Sequence, residues 1–595
     1  MPASPREATA LPFQPLPFQR PLGARPLDDR RTEFRVWAPR AVKGVTLALG
    51  DRKPELLAME DVGYGVFELI TAAPAGSDYR FVMGGRRYPD PMSRSQPRGI
   101  TGPSRVVGAA DLGFSGSTPG FRAAPLARQV IYELHVGTFS TEGTFTGAIP
   151  HLPGLADLGI TAVEVMPIAE FPGTRGWGYD GVYICAAQSS YGGPEGFAQF
   201  VAAAHEAGLA VILDAVYNHV GPGSDALEPF GPYFTDRYHT PWGSAINYDD
   251  ADCDGVREWA CQSAEGWVRD FGVDGLRLDA VHAIFDEGPE HLVAELTRRV
   301  RAINPRALVI AESPLNDPKV MRTPARGGWG CDAAWADDFH HCLRTLLTGE
   351  HEGYYADFGR VADLAKALGR PYVFDGEWSQ VRRKRVGAPA PDLPRRAFVV
   401  CDQNHDQVGN RAFGDRLDPE VQPLAAMLTL LSGFTPMLFM GEEYGEPAPF
   451  QYFVDHIDPE IAEATRQGRR AEFAAFASFG HEIPDPMAVE TFEASKLTRE
   501  ANPQIAQLYR RLLALRRRLP GGDPDAVDFS EAEGWLRLRR GAFELVANLS
   551  GSARALGARG MTLELASGPT VTLARGRLSL PPRSGALLIR KDQSP

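Results

Sequence analysis

The sequence predicts an α/β protein built on a (β/α)8 TIM barrel, flanked by an N-terminal and a C-terminal β-sandwich domain. Three observations predict it. From about residue 128, apolar strand-like runs alternate with helix-like stretches over nearly 400 residues, the signature of βα units around a parallel sheet. The segment before this region contains short strand-like runs separated by turn residues. The last 70 residues return to the same strand-and-turn pattern.

Taken in order, residues 1–30 are proline-rich and are expected to be extended or disordered. They contain no uninterrupted apolar core of the secretory kind. Residues 31–120 carry TEFRVWAP, VTLAL, YGVFELI, YRFVM and RYPDP, expected as the strands of the first sandwich. Residues 121–520 are expected to form the barrel with insertions. Its eight strand candidates are residues 130–136, 160–168, 209–216, 273–280, 307–313, 331–339, 397–403 and 435–443. The insertion near residues 221–265 is a candidate lid. Residues 525–595 hold WLRLRR, FELVANLS, MTLEL, TVTLA and GALLIR, the second sandwich.

Composition narrows the function classes. The chain has 595 residues, 44% of them hydrophobic, which is ample for a buried core. Acids outnumber bases by 75 to 62, so neither a nucleic-acid partner nor a polybasic membrane contact is expected. No apolar run approaches the length of a membrane span. The six cysteines are scattered without a CxxC pair, which points to reduced thiols in a cytoplasmic protein. No phosphate-binding or dinucleotide fingerprint is present, and the acidic run DADCD at 250–254 lacks the glycine and spacing of a calcium loop. No cofactor and no metal are therefore expected.

Catalytic groups of such barrels sit at the C-terminal ends of the strands. The fourth strand reads GLRLDAVH, and alternation puts Arg277 and Asp279 on the axial face. A cation beside a carboxylate favours its ionised form, which suits a nucleophile, although a structural ion pair reads the same way. The fifth strand ends in AES, placing Glu312 at its tip, as a general acid or as a salt-bridged glutamate. The seventh ends in DQNHDQVGN, with Asn404, His405 and Asp406 forming either a polar site or a turn. The third ends in LDAVYNHV, where Asp214, Asn218 and His219 either serve the site or fix the loop. Three carboxylates arriving at the tips of strands four, five and seven suit glycoside hydrolysis, in which two carboxyls flank the scissile bond.

DAVYNHV, GLRLDAVH, AES and NHDQ resemble the four ordered motifs of the α-amylase superfamily, the thirteenth glycoside hydrolase family. The resemblance covers roughly residues 30–592, and the N-terminal segment is similar to the carbohydrate-module-like domain of branching and debranching members. It implies Asp279 as nucleophile, Glu312 as general acid/base and Asp406 as the carboxylate that stabilises the transition state. Arg277, His219, His405 and Asn404 would surround the reacting sugar, with Asp214 beside them; Tyr179 of WGYDG would stack on it, and His282 would lie toward the leaving group. In many relatives a calcium ligand stands at the position of Asn218, but its companions find no match here.

Three longer stretches resemble the malto-oligosyltrehalose trehalohydrolases within that superfamily: EVMPIAEFPGTRGWGYDGVYICAAQSSYGGPEGF, QNHDQVGNRAFGDRL and FMGEEYGEPAPFQYFVDH. The implied substrate is malto-oligosyltrehalose, cleaved with retention at the α-1,4 bond next to its terminal α,α-trehalose unit. The products would be trehalose and a malto-oligosaccharide. A glucan branching enzyme, an isoamylase-type debranching enzyme and a non-catalytic glucan-binding protein remain the alternatives. Candidate walls for the trehalose pocket are Trp335, Phe339, Glu377, Trp378 and Tyr444, each also readable as core or loop packing.

Overall fold

The computed structural model describes residues 15–108, 112, 118, 120–240, 243–473 and 482–591. Its centre is a closed barrel of eight parallel strands in sequential order: β1 (Ile131–Leu134), β2 (Ala162–Val165), β3 (Ala210–Ala215), β4 (Gly275–Leu278), β5 (Leu308–Ala311), β6 (Ala333–Trp335), β7 (Phe398–Val400) and β8 (Thr435–Phe439). Apolar runs become strands here because a parallel barrel buries both faces. The sixth run, 331–339, yields only three strand residues, since Asp337 already opens the helix Asp337–Thr348.

Helices close the outer layer. Gly193–Glu206 and Asp254–Phe271 follow β2 and β3, and Leu292–Ile303 follows β4. The second of these ends at Gly272, whose φ of 71° supplies the left-handed cap that a side chain would resist. The last helix, Pro503–Arg516, begins at Asn502, whose side chain accepts from the backbone of Gln504 and Ile505.

Two antiparallel sheets precede the barrel. One orders Gly23–Pro26, Arg31–Trp37, Val66–Ala72 and Glu60–Asp61, and the other Glu55–Ala58, Thr46–Leu49, Asp78–Met83 and Arg86–Tyr88. Of the two alternatives for the first thirty residues, extended or disordered, residues 15–30 take the extended one and pack against the rest of the molecule. Gly23–Pro26 is a paired strand, Phe18 is buried, and the Leu22 amide donates to Gln262 of the barrel layer. Residues 1–14 of that segment lie outside the described residues.

The 221–265 insertion is braced against the N-terminal sheets rather than poised as a free lid. Phe230 packs edge-on against Phe81 and Tyr88, Tyr233 packs against Trp37, and residues from 254 onward form the barrel helix itself. The C-terminal region forms a five-stranded and a three-stranded sheet spanning Ala526–Arg590. Three of its strands, Ala526–Ser530, Arg554–Gly557 and Arg577–Leu580, lie outside the runs read from the sequence.

Candidate active site

The strand tips converge on one guanidinium. Register places Asp214 of β3 beside Arg277 of β4, both facing the axis. Arg277 is fully buried, and its Nη1 donates to both oxygens of Asp214 at 2.7 Å and to Asp279 Oδ1 at 3.0 Å. Its Nη2 donates to Glu312 Oε2 at 2.8 Å. The planar fork thus joins three carboxyls from three consecutive strands, which a point charge cannot do. The Trp335 ring at the end of β6 lies 4.2 Å from the guanidinium carbon and fixes the fork from one side.

A strained turn links the first two acids. Ala280, the residue after Asp279, takes φ 37° and ψ 51°, a left-handed conformation that costs a β-carbon-bearing residue on the order of 1–3 kcal/mol. That turn aims the Ala280 N–H at Glu312 Oε2, 2.8 Å away.

The third acid sits on a separate support. Asn404 caps the short helix His405–Gly409, its Oδ1 accepting from the Gln407 amide at 2.8 Å, so that side-chain oxygen is committed to the turn. Asp406 occupies the first turn and is partly exposed, with Asn410 Nδ2 at 3.1 Å and His405 Nε2 at 3.5 Å. His405 is locked from behind: Glu133 of β1 accepts from its backbone N–H at 2.8 Å and from Nδ1 at 2.6 Å. Its Nε2 lies 2.8 Å from the Tyr179 hydroxyl, which in turn donates to Asp214 Oδ2 at 2.6 Å. The Tyr179 ring stacks on His405 with centroids 5.0 Å apart. Tyr179 is delivered by Gly178, whose φ of 98° brings its backbone against the Pro167 carbonyl.

The electrostatics grade the acids. Burial pushes Asp279 up to about 6 against the downward pull of Arg277, with Asp214 and Asp406 adding to the rise. The cation alone suggested a fully ionised Asp279; loss of solvent outweighs it. Glu312 is pushed further, to about 7, again by burial, opposed by Arg277 and reinforced by Asp279 and Asp406. The group nearer an ionised form at neutral pH is therefore Asp279, and the group nearer a protonated form is Glu312. Burial opposes charge on His405, but Glu133 and Asp406 overcome it and raise it to about 9. His219 and His282 are both shifted down by burial.

Tyr179, Asp214, Arg277, Asp279, Glu312, His405 and Asp406 are thus brought together, and Asn404 serves as a cap. His219 Nδ1 lies 3.1 Å from Asn218 Oδ1, and His282 feels the charges of Glu312 and Arg382. Among the pocket-wall candidates, Trp335 underlies Arg277, whereas Phe339 is buried in helix packing against Phe434. Tyr444 donates to Glu446, and Glu377 pairs with Lys366. Trp378 is exposed on a two-stranded ribbon with Lys384–Arg385, and Arg382 of its turn donates to the Pro314 carbonyl at 2.5 Å, just past Glu312.

Sequence reasoning missed Glu133, Glu164 and Asp337. Glu133 and Glu164 face each other across β1 and β2, fully buried, and Asp337 follows β6. The first two were legible as acids inside the apolar runs VIYELHV and ITAVEVMPI, a costly placement unless used or neutralised.

The alpha amylase catalytic domain family model matches residues 87–231. A malto-oligosyltrehalose trehalohydrolase from Saccharolobus solfataricus is 45% identical over 82% of this chain and 86% of its own. One from Arthrobacter ramosus is 44% identical over 87% of this chain and 92% of its own. A crystal structure from Salmonella typhimurium, named provisionally as an alpha amylase, superposes with a TM-score of 0.86 at 36% identity, covering 96% of this chain and 99% of that one.

Proposed function

The chain belongs to the malto-oligosyltrehalose trehalohydrolase family of α-amylase-type glycosidases, and from that premise we propose that it hydrolyses, with retention, the α-1,4 bond next to the terminal α,α-trehalose unit of malto-oligosyltrehalose, releasing trehalose and a malto-oligosaccharide. The observation that carries this reading is the convergence of Asp279, Glu312 and Asp406 on one mouth, two of them on a single guanidinium and the third beside His405.

Asp279 attacks the anomeric carbon as Glu312 gives its proton to the glycosidic oxygen, and trehalose departs with the bonding pair. A β-glycosyl ester on Asp279 remains. Glu312, now ionised, takes a proton from water, whose oxygen attacks the same carbon and displaces the Asp279 carboxylate. Two inversions restore the α configuration, and this route requires the two carboxyls to lie about 5–5.5 Å apart in the working enzyme. Asp406 holds hydroxyls of the reacting sugar and opposes the positive charge that develops on it. Tyr179 stacks on that sugar, Arg277, His219 and His405 surround it, and Asp214 supports Arg277 and Tyr179 from below. His282 stands on the leaving-group side.

The six cysteines are free thiols, which supports a reducing, cytoplasmic setting. Among the described residues, no helix is long and apolar enough to cross a membrane. The function is tested by incubation with maltopentaosyl trehalose, maltoheptaose and amylose. Release of trehalose from the first alone is the expected result. New branch points on amylose would replace this reading with a branching transferase.

A further inference from the structure

The helix after β6 begins with two adjacent aspartates that the structure treats differently. Asp338 is buried, and its Oδ2 accepts from the amides of Val373 and Phe374 at 2.8 and 3.0 Å and from Asn316 Nδ2 at 2.9 Å. It ties the segment after β5 to the segment before β7. Asp337 has no hydrogen bond or ion pair to any described residue. Its largest charged neighbours are Glu312 on the β5 side and Asp406 on the β7 side, followed by Asp338, with Arg277 the opposing cation. Tyr354 and Cys401, from two further segments, also feel its charge.

Its backbone is fixed. The Ala336 amide donates to Val399 of β7 at 2.9 Å, and Trp335 is held against Arg277. Asp337 therefore stands at the tip of β6, between two site carboxyls, with no donor among the described residues. Asp337 is part-buried, and neither of its oxygens is sealed from solvent, so the carboxyl is open to accept from a ligand. Sugar hydroxyls can donate to it. The group on the β5 side of Asp337 is Glu312, which is assigned to the leaving oxygen.

We propose that Asp337 is a further substrate-binding carboxyl of this mouth, accepting a hydroxyl of the sugar on the leaving-group side, next to Glu312. This rests on the reaction proposed above. A hydrogen bond to a charged acceptor sets the scale of its loss, about 10- to 100-fold in kcat/KM for Asp337→Asn. Removing a negative charge beside Glu312 also shifts the alkaline limb of the pH profile to lower pH, while Arg277, Asp279, Asp406 and His282 still face Glu312. Asp338→Asn, which breaks only the structural ties, lowers thermal stability and leaves that limb in place. Calorimetry with trehalose as the probe supplies a readout independent of turnover: Asp337→Asn binds it about tenfold more weakly or worse. Asp337→Asn with wild-type kcat/KM, trehalose affinity and alkaline limb would overturn the assignment. A wild-type enzyme inactive on maltopentaosyl trehalose would instead overturn the reaction itself.

Discussion

Replacing Arg277 with lysine keeps one positive charge in the barrel but removes the fork. In the structure Nη1 serves Asp214 and Asp279 while Nη2 serves Glu312. One ammonium left at Asp214, the most buried of the three acids, abandons the other two. Each lost charged hydrogen bond is worth about 1.5–3 kcal/mol, and an uncompensated buried charge about 3–5 kcal/mol. Arg277 pulls both Asp279 and Glu312 downward, so both rise in the variant, Asp279 from about 6 and Glu312 from about 7. Both limbs of the kcat/KM profile then move to higher pH, and activity at pH 6 falls more steeply than at pH 8. Stability follows the same sign. A carboxyl whose folded pKa lies above its unfolded value binds more protons in the folded state, so folding weakens as pH rises through that window. The variant widens the window, and its deficit in apparent Tm is larger at pH 8 than at pH 5. Thermal unfolding at the two pH values, together with the activity profile, makes the measurement. Equal deficits at both pH values, with unmoved limbs, would refute the argument that Arg277 acts through these two acids.

The wild-type profile of kcat/KM is bell-shaped, falling below about 6 as Asp279 gains a proton and above about 7 as Glu312 loses one; the two apparent values belong to the interacting pair. A flat profile between pH 5 and 8 would exclude these groups. Glu133→Gln removes the partner that holds His405 at about 9. The stabilisation from that pair is fully present below about 6.5 and is lost as pH rises through 9, so the wild-type Tm falls across that window and the variant's falls less. Identical slopes would contradict the pairing. Gly178→Ala places a methyl 1.9 Å from the Pro167 carbonyl oxygen at a φ of 98°, which displaces Tyr179 and lowers kcat/KM by more than tenfold, whereas retention of wild-type kinetics would show that this turn does not position the tyrosine.

The barrel was legible because a parallel strand buried on both faces leaves a continuous apolar run, and all eight runs contain one of the eight strands. The sixth run extended well beyond its strand because the helix opens at Asp337, one residue after Ala336, with no glycine or proline to mark the end of AAW. Arg277 and Asp279 were readable as axial from strand alternation, and Glu312 from its place at the end of VIA. What alternation could not give was which neighbour each polar group meets. Glu133 looked like an isolated acid in an apolar strand, and only the closure of β1 against β8 and the return of β7 bring His405 to it. Asn404 was grouped with its sequence neighbours His405 and Asp406 as an expected sugar ligand; its cap role depends on a helix too short to show a period. The prolines of residues 1–30 point to extended or disordered chain, and what decides between the two over residues 15–30 lies outside the segment: the barrel helix and the adjacent strand bury Phe18 and pair Gly23–Pro26.

The central claim is that Asp279 bonds to the sugar. Incubation with an activated 5-fluoro-α-glucosyl fluoride, which slows hydrolysis of a glycosyl-enzyme, followed by proteolysis and mass spectrometry of the peptides, tests it directly. The account predicts a single hexosyl adduct on the peptide carrying Asp279, absent in Asp279→Asn. An adduct on Glu312 or Asp406 in its place would contradict it.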